Sequence, residues 1–251
     1  MMLPENDATL LSLLYHLNSE PWSNLDAGAS PYEVEYRELD SAGAIPLPAC
    51  SIDTPLAALL AARQSCRDFT PQPMPLLTLA TLLGGALGIT RTSTLPGVGP
   101  MFLRAAPSAG GLYPLEAYVL AQQVETLEAG VYHYNVRAHA LELVRGAPDP
   151  GELATFLASQ SAFDSTSALV FLTAVFLRTQ KKYGPRGYRH ALLEAGHIAQ
   201  TLCLLAAEQS LGSLCVGGFF DGALNRFLCV DGTTEAALYC VGIGYPSSTL
   251  Y

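Results

Sequence analysis

Charged side chains are scarce in this sequence of 251 residues, since Asp, Glu, Lys and Arg together make up 14% of it. An average globular protein has roughly 25%. The formal net charge is −9, and the Lys and Arg residues form no basic stripe of the kind that binds a phosphate backbone. These features argue against a nucleic-acid partner. A surface with so little charge also predicts that a large subunit interface covers part of it.

Signals for secretion and membrane insertion are lacking as well. The first positive side chain is Arg37, so no basic segment precedes the N-terminal apolar run as it does in a secretory signal. The longest apolar run, residues 168–177, is interrupted at Thr173 and is far shorter than the roughly 20 residues that cross a bilayer. We therefore expect a cytoplasmic protein with no membrane segment.

Metal and nucleotide motifs are also missing. The six cysteines show no CxxC spacing, so the sequence indicates neither a zinc site nor a redox pair, and we expect buried free thiols. There is no HExxH, no GxxxxGK followed by Ser or Thr, and no GxGxxG after a predicted strand. Zincin, P-loop and Rossmann functions are thus unsupported, and no metal site is predicted.

The hydrophobic pattern predicts helices and strands mixed within one α+β domain. Helices are expected over residues 7–18, 56–64, 76–87 and 190–209, and strands over residues 115–124, 131–134, 168–177, 213–219 and 236–243. Residues 131–144 fit a hairpin that turns at 135–138, whereas 41–54 and 91–100 have the composition of a connecting segment and a loop. We expect residues 1–54 to form an N-terminal helix and connection within the same unit as a main domain of residues 55–251.

The segment RQSCR places two guanidinium groups and a hydroxyl at a predicted helix end, on Arg63, Ser65 and Arg67. These groups suit a phosphate monoester, because guanidinium makes charge-assisted, bidentate hydrogen bonds to phosphate oxygens. The alternative is a solvated helix end without a ligand, since surface arginines are common and need no partner.

Two glycine-rich segments could bring their backbone close to a flat ligand. PSAGGLYP, residues 107–114, combines small residues with two prolines that fix a loop leading into a predicted strand. VGGF, residues 216–219, ends another predicted strand, so N–H groups at Gly217 and Gly218 could face a ring nitrogen. An ordinary turn is the alternative for each segment.

The only two lysines of the chain, Lys181 and Lys182, stand directly before Tyr183. An amine can lose its proton and a guanidinium cannot, so lysine here, in a chain that otherwise uses arginine, fits a group whose protonation matters. A solvated basic loop together with Arg186 and Arg189 is the alternative.

Glu194 and His197 are three residues apart in the longest predicted helix, on one side with Gln200 and Thr201. A single Glu-x-x-His pair is like half of a di-iron site, but the sequence has no second copy. We therefore expect a polar stripe that is hydrogen-bonded within a helix pairing or a subunit interface.

Five segments, taken in chain order from residue 63 to residue 244, resemble the SagB-type dehydrogenases of the nitroreductase superfamily, the azoline oxidases of thiazole and oxazole peptide biosynthesis. They are RQSCR, PSAGGLYP, VYHYN with HALEL, KYGPRGYRHALLEAGHIAQ and VGGF. The resemblance implies a nitroreductase-like FMN-binding fold, an antiparallel-rich sheet flanked by helices, in an intertwined homodimer. The chain departs from the family at Gln64, where a basic residue or His is frequent. It also has no Lys or Arg after Arg226, although many relatives bind the phosphate with C-terminal basic residues.

The resemblance also implies roles for single residues. Arg63, Ser65 and Arg67 would hold the phosphate and ribityl chain of FMN. Lys182 and Tyr183 match the catalytic Lys-Tyr pair of the family, with Tyr183 as the general base. The isoalloxazine ring would be lined by Pro107, Ser108, Ala109 and Gly110, with Gly217 and Gly218 beside its hydride-accepting nitrogen.

The activity that the resemblance implies is oxidation of a peptide azoline to an azole, with dioxygen as final electron acceptor and a cyclodehydratase complex as partner. Two other functions fit the same motifs. An NAD(P)H-dependent nitroreductase would reduce its substrate instead. A non-catalytic flavin-binding scaffold subunit of a peptide-modification complex would leave the heterocycle unoxidised, although the presence of Lys182 and Tyr183 argues against it.

Overall fold

Antiparallel strands form a seven-stranded sheet in the computed structural model of the chain, and a separate two-stranded hairpin accompanies it. The structure describes residues 5–20, 36–37, 45–48, 53–95, 97, 99–157 and 161–247. The strands are β1 (Phe69–Thr70), β2 (Ile89–Leu95), β3 (Gly99–Arg104), β4 (Leu115–Ala121), β5 (Gly130–Asn135), β6 (Ala140–Gly146), β7 (Ala168–Val175), β8 (Gly212–Val216) and β9 (Glu235–Pro246). The helices are α1 (Glu5–Asn18), α2 (Pro55–Ala62), α3 (Leu76–Leu87), α4 (Leu177–Tyr183), α5 (Arg186–Glu208) and α6 (Asp221–Phe227).

The order of the strands places β7 in the middle of the sheet. The sheet runs β1-β9-β7-β4-β5-β6, and β8 pairs with β9 outside this order. All of these pairings are antiparallel. β7 is buried over its length apart from half-buried Val175, as its continuous apolar sequence predicts for a central strand.

Apolar cores lie on both faces of the sheet. On one face α5 packs against β4, β8 and β9, and α3 packs on α5. The other face is covered by α6 and by short 3₁₀ turns at Leu153–Thr155 and Ser161–Ser165. There the rings of Phe156 and Phe227 lie 4.7 Å apart, centre to centre. Helices on both faces of an antiparallel sheet confirm the predicted α+β class.

Several predicted elements are confirmed. α3 has the predicted bounds, and the longest helix, α5, begins four residues before its predicted start. The predicted hairpin is formed by β5 and β6, in which Asn135 is opposite Ala140. The side-chain oxygen of Asn135 accepts the N–H groups of Arg137 and Ala138, a local interaction that favours a turn.

The predicted loop at residues 91–100 is wrong, because most of it forms the antiparallel hairpin of β2 and β3. The β-branched residues of β2 (sequence ITRTSTL) favour a strand, and Gly97, with a φ of +77°, lies between the two strands. In this hairpin Gly99 and Pro100 begin β3, and the threonines of β2 are exposed. The predicted connecting segment, residues 41–54, lies largely outside the described residues.

α1 forms where it is predicted, but it does not bury its leucine side. Among its side chains from residue 10 onward, those of Ser12 and His16 are buried, and His16 Nδ1 is 3.2 Å from the hydroxyl of Tyr188 on α5. Leu10, Leu11, Leu14 and Leu17 are each about half exposed. Two short helices, α4 and α6, were not predicted, since seven residues carry too little periodic pattern. Within the described ranges, every helix is too short or too polar to span a membrane.

Candidate active site

Three residues that the sequence marks as candidates meet at the PSAGGLYP loop. Gly110 has a φ of +64°, and a Cβ on it would lie 2.7 Å from Tyr183 Oη and 2.8 Å from Lys182 Nζ. Lys182 and Tyr183 are the last two residues of α4, and Lys182 Nζ lies 5.2 Å from the centre of the Tyr183 ring. A side chain at position 110 would displace both the amine and the hydroxyl, so a glycine is needed there.

Hydrogen bonds within this loop define its path. The Ser108 carbonyl accepts the Gly111 N–H at 3.0 Å, and Ser108 Oγ accepts the Tyr113 N–H at 2.9 Å. The Tyr113 hydroxyl accepts the N–H of Arg104 at 2.9 Å, and the Arg104 guanidinium lies 4.6 Å from the centre of the Tyr113 ring. Pro107 and Gly110 are exposed, so the loop offers its backbone to a ligand at this surface.

Arg178 connects the loop to the sheet and to the helix that carries Lys182. Its Nη1 donates to the Tyr113 carbonyl at 3.1 Å and forms an ion pair with Glu116 at 2.5 Å. The second oxygen of Glu116 is 3.0 Å from Nε2 of His133. Hydrogen bonding to Glu116 raises the pKa of His133 to about 9, so this imidazole is charged at neutral pH. No sequence motif marks Arg178, because its partners Tyr113 and Glu116 come from a distant segment.

Glu194 lies behind the same loop, on α5. It is 2% exposed, and neither carboxylate oxygen has a hydrogen-bond partner among the described residues. Burial raises the pKa of Glu194 to about 7, against the opposing influence of Ser108, Arg104 and Arg178. Arg104 Nη1 is buried and likewise lacks a partner within the described part of the chain. The polar stripe expected within a helix pairing or a subunit interface stays a prediction for Glu194, whose nearest polar side chain in the loop is Ser108, while His197 is exposed to solvent.

The RQSCR segment follows α2 and lies against β8. Ser65 forms a parallel bridge with Ser213, and the Cys66 N–H donates to the Ser213 carbonyl at 2.9 Å. Arg63 is half-buried, while Ser65 and Arg67 are exposed. Neither arginine forms an ion pair with any described residue. Both guanidinium groups can therefore bind an anion without breaking an ion pair to another described residue.

The glycines of the VGGF segment follow β8 directly. Gly217 is exposed, and a Cβ on it would lie 3.7 Å from the ring of Tyr239, an ordinary contact. β8 runs toward the end of the sheet at which β4 begins and β7 ends. Because β9 and β7 lie between β8 and β4, three strand spacings separate these two strands, about 14 Å at the usual spacing.

The predicted site residues thus form two groups. The β8 group comprises Arg63, Ser65, Arg67, Gly217 and Gly218, which lie beside β8. The loop group comprises Pro107, Ser108, Ala109, Gly110, Lys182 and Tyr183, which lie where β4 begins and β7 ends. α5 passes close to both groups, since Glu194 is near Ser108 and Cys203 is near Arg63.

Two thiols that no sequence motif links are in contact near the β8 group. Cys203 Sγ, on α5, is 3.4 Å from Cys215 Sγ, on β8. The sequence does not indicate this contact, because the two cysteines form no CxxC motif and lie on different elements that meet only in the fold. In the described part of the chain, no cluster of His, Cys, Asp or Glu is suited to a metal ion.

Comparison with known protein families matches residues 60–245 to the model of the nitroreductase family. The chain is 32% identical over 173 residues to MJ1384, a nitroreductase-type protein of Methanocaldococcus jannaschii, and the match covers 69% of this chain and 83% of the relative.

Two relatives are peptide-processing proteins. The trifolitoxin-processing protein TfxB of Rhizobium leguminosarum is 32% identical over 173 residues, which are 67% of this chain and 46% of the relative. The microcin B17-processing protein McbC of Escherichia coli is 33% identical over 145 residues, which are 54% of this chain and 52% of the relative. The matches thus cover about half the length of each of these two relatives.

Two solved structures resemble the fold. A chain of the microcin synthetase McbBCD complex of Escherichia coli, solved with truncated pro-MccB17 bound, has a TM-score of 0.75 at 22% identity, covering 97% of this chain and 94% of that chain. A nitroreductase-type protein of Ralstonia eutropha has a TM-score of 0.64 at 27% identity, covering 81% and 89%.

Proposed function

The chain belongs to the nitroreductase family, and we propose that it is an FMN-dependent oxidoreductase that dehydrogenates azoline rings of a peptide to azoles. The observation that carries this proposal is the convergence of Lys182 Nζ and Tyr183 Oη on Gly110. It brings an amine and a phenol, the two groups that resemble a catalytic Lys-Tyr pair, to an exposed glycine of the loop proposed to line the flavin.

The residues of the β8 group fit FMN. Arg63 and Arg67 supply two guanidinium groups without ion-pair partners among the described residues, and Ser65 supplies an exposed hydroxyl. This donor set suits a terminal phosphate monoester, and it has no basic contribution from residues after Arg226. FMN, when bound, supplies the hydride acceptor. Gly217 and Gly218 would present backbone N–H groups to its ring.

Lys182 and Tyr183 would perform the proton chemistry. Aromatisation of an azoline requires loss of a proton from the ring carbon that bears the peptide carbonyl and loss of a hydride from the adjacent CH₂. Tyr183 is half-buried, and its ring packs edge-on against that of His190 with the ring centres 4.9 Å apart, which restrains the phenol. We assign to Tyr183 Oη the role of accepting the proton, and to the nearby Lys182 amine the stabilisation of the phenolate or the onward relay of the proton.

A homodimer would bring the two groups of site residues together. The strands β8 and β4, beside which the two groups lie, are about 14 Å apart within one chain, and so one protomer's loop group could complete the site beside its partner's β8 group. Exposed leucines on α1, together with Leu192 and Leu193 on α5, supply apolar surface for such an interface. The low charge content of the chain supports the same assembly.

A peptide substrate is supported by the likeness to TfxB and McbC, which process trifolitoxin and microcin B17. The structural likeness to a chain of the McbBCD complex further supports a synthetase partner, a cyclodehydratase that forms the azoline. The likeness to MJ1384 favours a second candidate function, an NAD(P)H-dependent nitroreductase. A non-catalytic scaffold subunit is a third candidate, and the arrangement of Lys182 and Tyr183 argues against it.

One experiment separates the three functions. The purified, FMN-loaded protein is incubated in air with a synthetic azoline peptide, and the peptide mass is followed for loss of two hydrogen atoms per ring. A parallel reaction contains a nitroarene and NADPH or NADH. Azole formation without rapid nicotinamide oxidation supports the proposed function. Nitroarene reduction alone supports the reductase, and a flavin-bound protein inactive in both reactions supports the scaffold.

A further inference from the structure

The thiols of Cys203 and Cys215 are in contact across the packing of α5 on β8. Their sulfur atoms are 3.4 Å apart, and a disulfide requires a separation of about 2.05 Å, so a small displacement of the side chains would join them. Cys203 is buried on α5, and Cys215 is half-buried on β8, two residues before Gly217. A disulfide between them would connect the long helix α5 to β8, the strand that leads to Gly217 and Gly218 of the β8 group.

The two thiols differ in their tendency to ionise. The hydrogen bond from Cys215 lowers the pKa of Cys203, outweighing the opposing effect of burial, and Ser213 and the positive charge of Arg63 act in the same direction as that bond. The pKa of Cys215 is raised, first by its hydrogen bond to Cys203 and then by burial. One sulfur is thus suited to attack as a thiolate, and the other remains a thiol that can resolve the product.

We propose that Cys203 and Cys215 form a dithiol that a hydroperoxide oxidises to a disulfide. The Cys203 thiolate attacks the O–O bond, which breaks; Cys203 becomes a sulfenic acid, and the alkoxide or hydroxide released takes a proton from water. The Cys215 sulfur then displaces the hydroxyl from Cys203, the S–S bond forms, and the hydroxyl leaves with the Cys215 proton as water. The two thiols lose two electrons in total, and the peroxide is reduced to an alcohol or to water.

The position of the pair connects it to the cofactor site. Arg63, which lies near Cys203, is a residue that we assign to the FMN phosphate, and Cys215 precedes the glycines that we assign to the flavin ring. Hydrogen peroxide as a local oxidant rests on the proposed function with dioxygen as electron acceptor. The reactivity of the thiol pair itself does not depend on that function, so an experiment that adds the peroxide tests the pair separately.

The test uses the purified full chain, reduced and then freed of reductant. Hydrogen peroxide is added in increasing molar ratio, the remaining thiols are alkylated in denaturant, and the protein is digested after Glu, Lys and Arg. Cleavage after Glu208 and Arg226 puts Cys203 and Cys215 on separate peptides, and Cys229 on a third. We expect a linked pair of peptides containing Cys203 and Cys215, two hydrogen atoms lighter than their sum, with loss of alkylation at both residues and recovery on reduction.

Variants assign the order of the reaction. In Cys215→Ser, peroxide should leave Cys203 as a sulfenic acid that a dimedone probe traps; in Cys203→Ser, Cys215 should stay unreacted over the same range. Cys229→Ser removes an exposed thiol and should still form the linked peptides. Full alkylation of both Cys203 and Cys215 at peroxide ratios that oxidise Cys229, or linkage of either one to Cys229 instead, overturns the proposal. Both readouts are independent of azoline turnover.

Discussion

Tyr183 Oη lies so close to Gly110 that a Cβ on this glycine would be 2.7 Å from the hydroxyl oxygen. The phenol comes from the end of α4 and the glycine from the loop before β4, so the contact joins two segments far apart in sequence. The proposed general base is therefore positioned by a loop backbone that has no side chain at that point.

Gly110→Ala should reduce azoline turnover by at least about tenfold, because its methyl group would displace the groups proposed to move the proton. The φ of +64° adds a strain of roughly 1 kcal/mol. Gly111→Ala is the matched control, since Gly111 has the same φ but its Cβ would meet Met101 Cε at 2.6 Å. Steady-state turnover and thermal unfolding of both variants are measured together. Equal losses of turnover in the two variants would count against the assigned geometry.

Tyr183→Phe should retain FMN and lose turnover by roughly 10² to 10⁴-fold, the usual contribution of a positioned general base. Lys182→Ala should also retain FMN. Lys182→Arg keeps the positive charge but cannot lose its proton near neutral pH, so it distinguishes a relay from a fixed charge. Flavin absorbance and single-turnover rates are the two measurements. Azole formation near the wild-type rate in both Tyr183→Phe and Lys182→Ala would refute the catalytic assignment.

Arg67→Ala should weaken FMN binding by about one to two decades, because a charge-assisted hydrogen bond contributes roughly 1.5 to 3 kcal/mol. Arg63→Ala should act in the same direction. Arg91→Ala removes an exposed arginine from β2 and serves as the control. Flavin fluorescence titration gives the Kd of each variant. Unchanged affinity in Arg67→Ala would remove this residue from the cofactor site.

Glu194 should make the protein less stable as the pH rises from about 4.5 to 7. Its pKa in the folded state is about 7, raised above an ordinary value of 4.5, so the folded state binds more protons than the unfolded chain between these limits. The loss amounts to about 3 kcal/mol and is complete above pH 7. Glu194→Gln should flatten this dependence, whereas Glu208→Gln, which changes an exposed carboxylate of the same helix, should not. Urea unfolding at pH 5 and pH 8 measures the difference, and parallel pH profiles for wild type and Glu194→Gln would contradict it.

The protein should be an obligate dimer that buries more than about 2,000 Å² between its subunits. Leu193, on α5, is 57% exposed, and Leu193→Glu should place a charge in the interface, yielding monomers with little FMN. Leu77→Glu is the control, because Leu77 is 78% exposed on α3, which lies outside the surface that we assign to the dimer. Light scattering and flavin content report the result. A wild-type monomer that holds FMN stoichiometrically would exclude the dimer.

Local pattern was sufficient to predict much of the fold. The bounds of α3, the central position of β7 and the hairpin of β5 and β6 all follow from apolar runs and from one turn residue, Asn135. The β2–β3 hairpin was missed because β2 (ITRTSTL) is rich in Thr and largely exposed, while β3 (GPMFLR) begins with Gly and Pro, so neither sequence shows the apolar–polar alternation of a half-buried strand. The short helices α4 and α6 were missed for a related reason, since both depend on their packing against longer elements.

The candidate site, like the fold, could be predicted only in part from the sequence. Reading the chain alone already identifies the residue types that are available: two lysines beside a tyrosine, an arginine pair with a serine, and two glycine-rich segments, together with the family that they resemble. Three relationships depend on the packed fold: Lys182 and Tyr183 meet Gly110, Glu194 is buried on α5 behind the same loop, and the Cys203 and Cys215 thiols touch. The physical reason is that periodicity and turn chemistry act over a few residues, whereas these contacts depend on strand register and on how α4 and α5 pack against the sheet.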